Sequence, residues 1–221
     1  MSLDSYYEHT RGDVVDLIRR TVPIRGKVLD IGCASGAIGE QLLSMGFEEV
    51  WGVEIDDKAA KRAERRLTRV VRAPFPCDEA DEGSPFDVVL MADSLEHLAD
   101  PWGALSAIQR LLAPGGCVVL SLPNVSHYSV VFDQFRGHWD YAEEGLLDCT
   151  HLRFFTPGSA VALLGDSGFV VDCMESTCHV PGRRWSLLTV IVRRFLPHLL
   201  VSQFRVVARR RSGRGVGKGV S

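Results

Sequence analysis

The stretch VLDIGCASGAIGEQL, Val28 to Leu42, decides how the chain is read. Strand-like residues run straight into glycines and small residues, and a helical pattern follows at once. A glycine-rich turn at such a junction lets a ligand approach the backbone closely. The dinucleotide-binding pattern is G-x-G-x-x-G. Here the glycines stand at 32, 36 and 39, and Ala34 occupies the middle position. That spacing also fits a turn that only joins a strand to a helix, so its surroundings matter. Asp30 precedes the turn, and Glu54 closes the next apolar run about twenty residues on, where a carboxylate can accept both hydrogen bonds of a ribose diol.

Outward from that stretch, short apolar runs alternate with helical patterns, as in an α/β protein with a mostly parallel sheet. The strands expected are Val28–Ile31, Val50–Glu54, Val70–Val71, Phe86–Met91, Cys117–Leu122, Phe169–Cys173 and Phe204–Ala208. Helices are expected over Asp57–Leu67 and Pro101–Leu112, the latter ended by Pro-Gly-Gly. Thr156 followed by Pro157 reads as an N-cap and first helical residue, with a glycine stop beyond.

The chain has 221 residues, 46% of them hydrophobic, enough for one sizeable core. It has no apolar run long enough to span a bilayer, and its N-terminus lacks the pattern of a secretory signal. Six cysteines are scattered without a C-x-x-C pair, which suits reduced thiols in a cytoplasmic protein better than a disulfide framework. The formal net charge of −3 hides an asymmetry, because ten Lys or Arg and no acid lie from Arg183 onward. The acidic body speaks against bound nucleic acid, while the basic end leaves peripheral contact with anionic membrane open. Residues 183–209 read as a cover helix and final strand, and 210–221 as a basic glycine-rich tail.

In motif order the sequence resembles the class I S-adenosylmethionine-dependent methyltransferases. VLDIGCASG corresponds to the first motif, GVEID to the second-strand acid, FDVVLMADSLEHLADP to the fourth strand and its turn, and LLAPGGCVVLSLPN to the fifth strand. PNVSHYSV and DCTHLRFFTPGSAVALLGDSGF further resemble a bacterial subgroup found with surface-glycan enzymes. The resemblance covers about 27–176. It implies a Rossmann-like, seven-stranded, mostly parallel sheet with the last strand antiparallel and helices on both faces. It also implies a single domain over 1–209 and S-adenosylmethionine as cofactor. Cofactor-binding residues are then expected at Asp30, Gly32, Cys33, Ala34, Gly36, Glu54, Ile55, Asp93 and Leu95. An acid for the adenine amine after the third strand is not evident; Asp78 is a stand-in.

The acceptor side is expected to come from three segments: DSLEHL, NVSHYS, and the insertion within about 124–155. A hydroxyl acceptor must lose a proton, so His97 and His151 are candidate bases. His127, Tyr128, Tyr141 and Arg153 are candidate acceptor residues, Arg153 for an anionic group. His97, His127, His138 and His151 are not spaced as a metal site. The expected reaction is O-methylation of a sugar, glycan intermediate or small metabolite. A catalytically silent cofactor-binding subunit and a nucleotide-cofactor oxidoreductase are the alternatives.

Overall fold

The computed structural model of the chain describes residues 11–178 and 194–211. One seven-stranded sheet runs in the order β3-β2-β1-β4-β5-β7-β6. Its strands are β1 (Lys27–Ile31), β2 (Glu49–Val53), β3 (Arg69–Val71), β4 (Phe86–Ala92), β5 (Leu112–Pro123), β6 (Phe169–Cys178) and β7 (Val201–Arg210). The pairings from β3 through β5 are parallel, and β7 lies antiparallel between β5 and β6. All seven expected strands exist, and the last is antiparallel as expected. Three of them, β5, β6 and β7, are much longer than their apolar runs suggest. Thus β5 begins at Leu112, before the Ala-Pro-Gly-Gly, and its register with β4 shifts between Phe86 and Val88. The glycine turn marks an irregularity in the pairing rather than the strand's start.

Helices cover both faces: α1 (Gly12–Thr21), α2 (Ala37–Met45), α3 (Asp57–Ala63), α4 (Pro101–Leu111), α5 (Tyr128–Phe135) and α6 (Pro157–Asp166). Alternation along the strands sorts the core into two layers. Val28, Val88, Leu90 and Val119 join Leu17 and Ile18 of α1 and Leu42 of α2. Leu29, Val89, Met91 and Leu120 join Leu105 and Ile108 of α4 and Leu164 of α6. Caps fix the helix starts. Asp100 accepts from the Gly103 amide at 3.0 Å, and Thr156 with Ser159 forms a capping box ahead of Pro157.

Helices α1 and α5 fall in segments not read as helical. Helix α1 buries Val14, Val15, Leu17 and Ile18, an apolar stripe outside the expected core boundary at residue 27. Helix α5 buries only Val130, so it lacks the periodic apolar face that marks a helix in sequence. The expected cover helix and basic tail lie largely outside the described residues. Where the C-terminal end is described, Arg209 pairs with Asp172 at 2.5 Å, and the amide of Arg211 donates to the Gly168 carbonyl at 2.8 Å. Arg209 thus finds an acidic partner although no acid lies from Arg183 onward. The sequence neighbours are basic, but antiparallel pairing brings an acid across from β6.

This topology positions the site. The chain crosses from β1 to β2 on one side and to β4 on the other, and the crevice at the carboxyl ends of β1 and β4 is where open α/β sheets bind ligands.

Candidate active site

At that crevice the turn after β1 folds back over β2. The Gly32 amide donates to the Val53 carbonyl at 2.8 Å, and Gly32 takes φ +74°. A Cβ there would stand 2.8 Å from the Ser94 Cβ, so glycine is required by both space and backbone. Ala34 also takes a left-handed φ, +49°. Its amide donates to Oε2 of Glu54 at 2.9 Å, while Oε1 accepts from the Asp56 amide at 2.8 Å. Strand β2 ends at Val53, one residue before the expected end, and Glu54 turns inward to tie two loops together.

Asp30 lies behind this turn, 1% exposed, with Oδ2 buried and lacking a hydrogen-bond partner. Burial, reinforced by the nearby Glu54 charge, pushes its carboxyl up to about 7. A buried acid with a free acceptor atom beside a glycine cradle suits a cationic, hydrogen-bonding ligand. In front lies a cavity of about 700 Å³, lined at this end by Gly32, Ala34, Glu54, Ile55 and the Ala73–Phe75 segment after β3.

The other end is built from the β4 turn and the insertion after β5. Asp93, at φ +54°, accepts from Arg11, from Ser121 Oγ at 3.0 Å and from Gln203 Nε2 at 2.5 Å. Arg11 precedes α1, so the N-terminal helix and β7 jointly fix this side chain. Glu96 follows on a short 3-10 turn over Leu95–His97. Its carbonyl accepts from the amides of Leu152 and Arg153 at 2.9 and 3.0 Å, which docks the insertion onto the turn. The docking brings His97 and His151 together, ring centroids 4.9 Å apart. Nδ1 of His97 lies 3.2 Å from both oxygens of Thr150, and Thr150 in turn donates its hydroxyl to Asp148 at 2.6 Å.

Charge in this corner is unevenly held. The Glu96 side chain is 1% exposed, with Oε2 unpartnered; burial raises its carboxyl to about 8, against the opposing pull of its own backbone amide and of Arg11. Burial and the neighbouring His97 hold His151 below the usual imidazole range. Burial would raise Asp148, but the Thr150 hydrogen bonds and both histidines outweigh it and hold it below the ordinary carboxylate value. One ligating atom each of Glu96, His97 and His151 falls within 4.8 Å of the others, the one such grouping among the described residues. The histidine spacing that argued against a cluster in sequence is thus overcome by the fold, which closes the gap between 97 and 151.

Of the residues expected to bind cofactor, Gly32, Ala34, Glu54, Ile55 and Asp93 line the cavity. Asp30, Cys33 and Leu95 are buried behind it, and Gly36 N-caps α2 at φ +81°. Asp78 begins a 3-10 turn away from the lining, and Ala73, Pro74 and Phe75 occupy that end instead. His97 lines the cavity and His151 stacks behind it. None of His127, Tyr128, Tyr141 and Arg153 is among the lining residues. His127 caps α5, with its ring 4.3 Å from that of Tyr128. Tyr141 is 58% exposed, and Arg153 donates to the Ala99 carbonyl at 2.5 Å. Sequence reading missed Arg11, Ser94, Asp148 and Thr150, whose roles depend on contacts between distant segments. Asp148-Cys-Thr150 carried the one local signal, an Asp two residues before the amide and hydroxyl it accepts from.

A family model described as "Methyltransferase domain" matches residues 6–174, most of the chain. The chain belongs to the class I S-adenosylmethionine-dependent methyltransferases. Among relatives of this methyltransferase, the ubiquinone biosynthesis O-methyltransferase of Psychrobacter arcticus is 30% identical over 161 residues. That alignment covers 65% of this chain and 58% of the relative. The protein of the same name from Cereibacter sphaeroides is 32% identical over 175 residues, covering 75% of this chain and 70% of the relative. The crystal structure of an S-adenosylmethionine-dependent methyltransferase from Archaeoglobus fulgidus superposes with a TM-score of 0.63. Its sequence identity is 20%, and the match covers 94% of this chain and 97% of that one. These relatives lend no support to a sugar or glycan acceptor.

Proposed function

We propose that the protein transfers a methyl group from S-adenosylmethionine to a hydroxyl oxygen of a small metabolite. The observation that carries this reading is a single cavity with a cofactor cradle at one end and a His-lined corner at the other. The relatives are named as O-methyltransferases, which favours oxygen as the acceptor atom.

The cradle fits the donor by its own chemistry. The unpartnered Oδ2 of Asp30 and the backbone of Gly32–Ala34 suit the ammonium and carboxylate of the methionine end. Glu54 suits the ribose hydroxyls, Ile55 and the Ala73–Phe75 segment an adenine ring. When bound, the donor supplies an electrophilic methyl on a positively charged sulfur. Methyl transfer of this kind is an in-line displacement, so the residues around it mainly align the acceptor and exclude water.

The acceptor hydroxyl must shed its proton as the bond to carbon forms. His97, which lines the cavity, is placed to take it, with His151, held below the usual imidazole range, beside it. Thr150, itself held by Asp148, meets Nδ1 of His97, which orients the pair. Isothermal calorimetry with S-adenosylmethionine, followed by an acceptor screen read by mass spectrometry, tests the reading. Donor binding with no methylated product from any hydroxyl compound would favour the silent cofactor-binding alternative. Binding of a nicotinamide cofactor in place of the donor would favour the oxidoreductase.

A further inference from the structure

At its acceptor end the cavity is lined by Glu143, Glu144 and Asp148 and, among the described residues, by no lysine or arginine. The nearest arginines are engaged elsewhere. Arg11 binds Asp93 and Asp13, and Arg153 turns to the Ala99 carbonyl. Among the described residues, Glu143 and Glu144 make no ion pair. The buried Glu96 leaves Oε2 without a hydrogen-bond partner, beside His97 and His151. A cleft lined by one sign of charge concentrates ligands of the other sign and repels its own.

We infer that the acceptor is a positively charged hydroxyl compound, an amine-bearing alcohol or phenol whose ammonium is held by Glu143, Glu144 and Asp148. An ammonium offers three donors, enough to engage more than one of these carboxylates while its hydroxyl faces the histidines. A carboxylate- or phosphate-bearing acceptor, the class expected of Arg153 as an anion anchor, would meet the like charge of Glu143, Glu144 and Asp148 here. This inference rests on the methyl-transfer reading and narrows it to a substrate class.

Two scaffolds carried through three charges test it. Dopamine, 4-methylcatechol and 3,4-dihydroxyphenylacetate form one series; tyramine, p-cresol and 4-hydroxyphenylacetate form the other. Each is titrated into protein saturated with S-adenosylhomocysteine, and its turnover with S-adenosylmethionine is measured with and without EDTA. The amine should bind at least about tenfold more tightly than its neutral counterpart in both scaffolds. That preference should fall severalfold in Glu143→Gln/Glu144→Gln, with donor affinity held within about twofold. Preference for a neutral or acidic member, no binding by any member, or a preference that EDTA removes would overturn the inference. Loss of donor affinity in the double variant would do the same, since the acids would then serve the cofactor. Failure of the methyl-transfer reading itself is separately visible, as a parent protein that does not bind the donor.

Discussion

Ala34 holds a left-handed backbone conformation that costs a side-chain-bearing residue about 1–2 kcal/mol, and it does so where the dinucleotide pattern has glycine. Ala34→Gly should therefore be neutral or slightly stabilising, since the relief of strain offsets glycine's greater unfolded-state entropy. Gly32→Ala should lower stability by about 1–3 kcal/mol, because its Cβ would meet Ser94 and its φ is equally left-handed. Thermal melting of both variants checks the pair, and a lower melting point for Ala34→Gly would contradict it. Two buried carboxyls set the pH behaviour. Asp30 and Glu96 have folded values raised above 3.8 and 4.5, to about 7 and about 8. The folded state binds these protons more tightly than the unfolded one, so their stabilisation is complete at low pH and is lost as pH climbs through those folded values. Between about pH 4 and 8 the ligand-free protein should lose stability, and Asp30→Asn should flatten the part of that slope below about pH 7. A cationic ligand beside Asp30 favours its ionised form, so donor affinity should rise with pH over the same interval. Chemical denaturation at several pH values tests the stability slope; calorimetry in buffers of different ionisation enthalpy tests proton release. At this scale Asp30 and Glu54 were legible because each ends an apolar run. Asp148 and Thr150 were not, since nothing in their neighbourhood says that they will meet His97.

Among the elements, α4 and α6 announced themselves through caps, prolines and apolar spacing, and they sit within a residue of expectation. Thr156→Ala should cost about 1 kcal/mol, the ordinary worth of an N-cap, measured as a shift in denaturant midpoint at constant slope. Helix α5 and the insertion beyond it carried no such signals. The insertion is held by two backbone bonds to Glu96 and by an aromatic cluster in which Trp139 and Tyr141 stand 5.2 and 6.4 Å from Phe154. Such docking is invisible to periodicity, which explains why His127, Tyr128, Tyr141 and Arg153 were expected at a cavity they do not line. The segment from Gly137 to Gly145 lies outside the sheet, and replacing it by a short linker should leave the fold and donor binding intact. The same change should abolish transfer, because Glu143 and Glu144 would be lost from the acceptor end. Donor affinity falling with the segment's removal would instead make it part of the cofactor site.

Across the whole molecule, a mostly parallel α/β sheet was readable from the alternation of runs and helices and its antiparallel last strand from the family resemblance, while the closure of the site from the N-terminal side was not. Asp13 of α1 accepts from Arg11 and from Arg205 of β7, which in turn approaches Glu175 of β6, so one ion network joins the two chain ends beside the cavity. Arg11 and Arg205 together hold the Asp13 carboxyl near 2, overcoming the upward push of burial, so its contribution is present above about pH 4 and lost as pH falls toward 2. The Gly32–Gly36 turn and Glu54 are proposed to form the donor site for S-adenosylmethionine. Calorimetric titration of S-adenosylmethionine into the parent protein and into Glu54→Ala tests it most directly. The account predicts one site per chain in the parent, weakened in the variant by about 1–3 kcal/mol as hydrogen bonds to a charged group are lost. Equal affinity in the two proteins, or no binding by the parent, would contradict it.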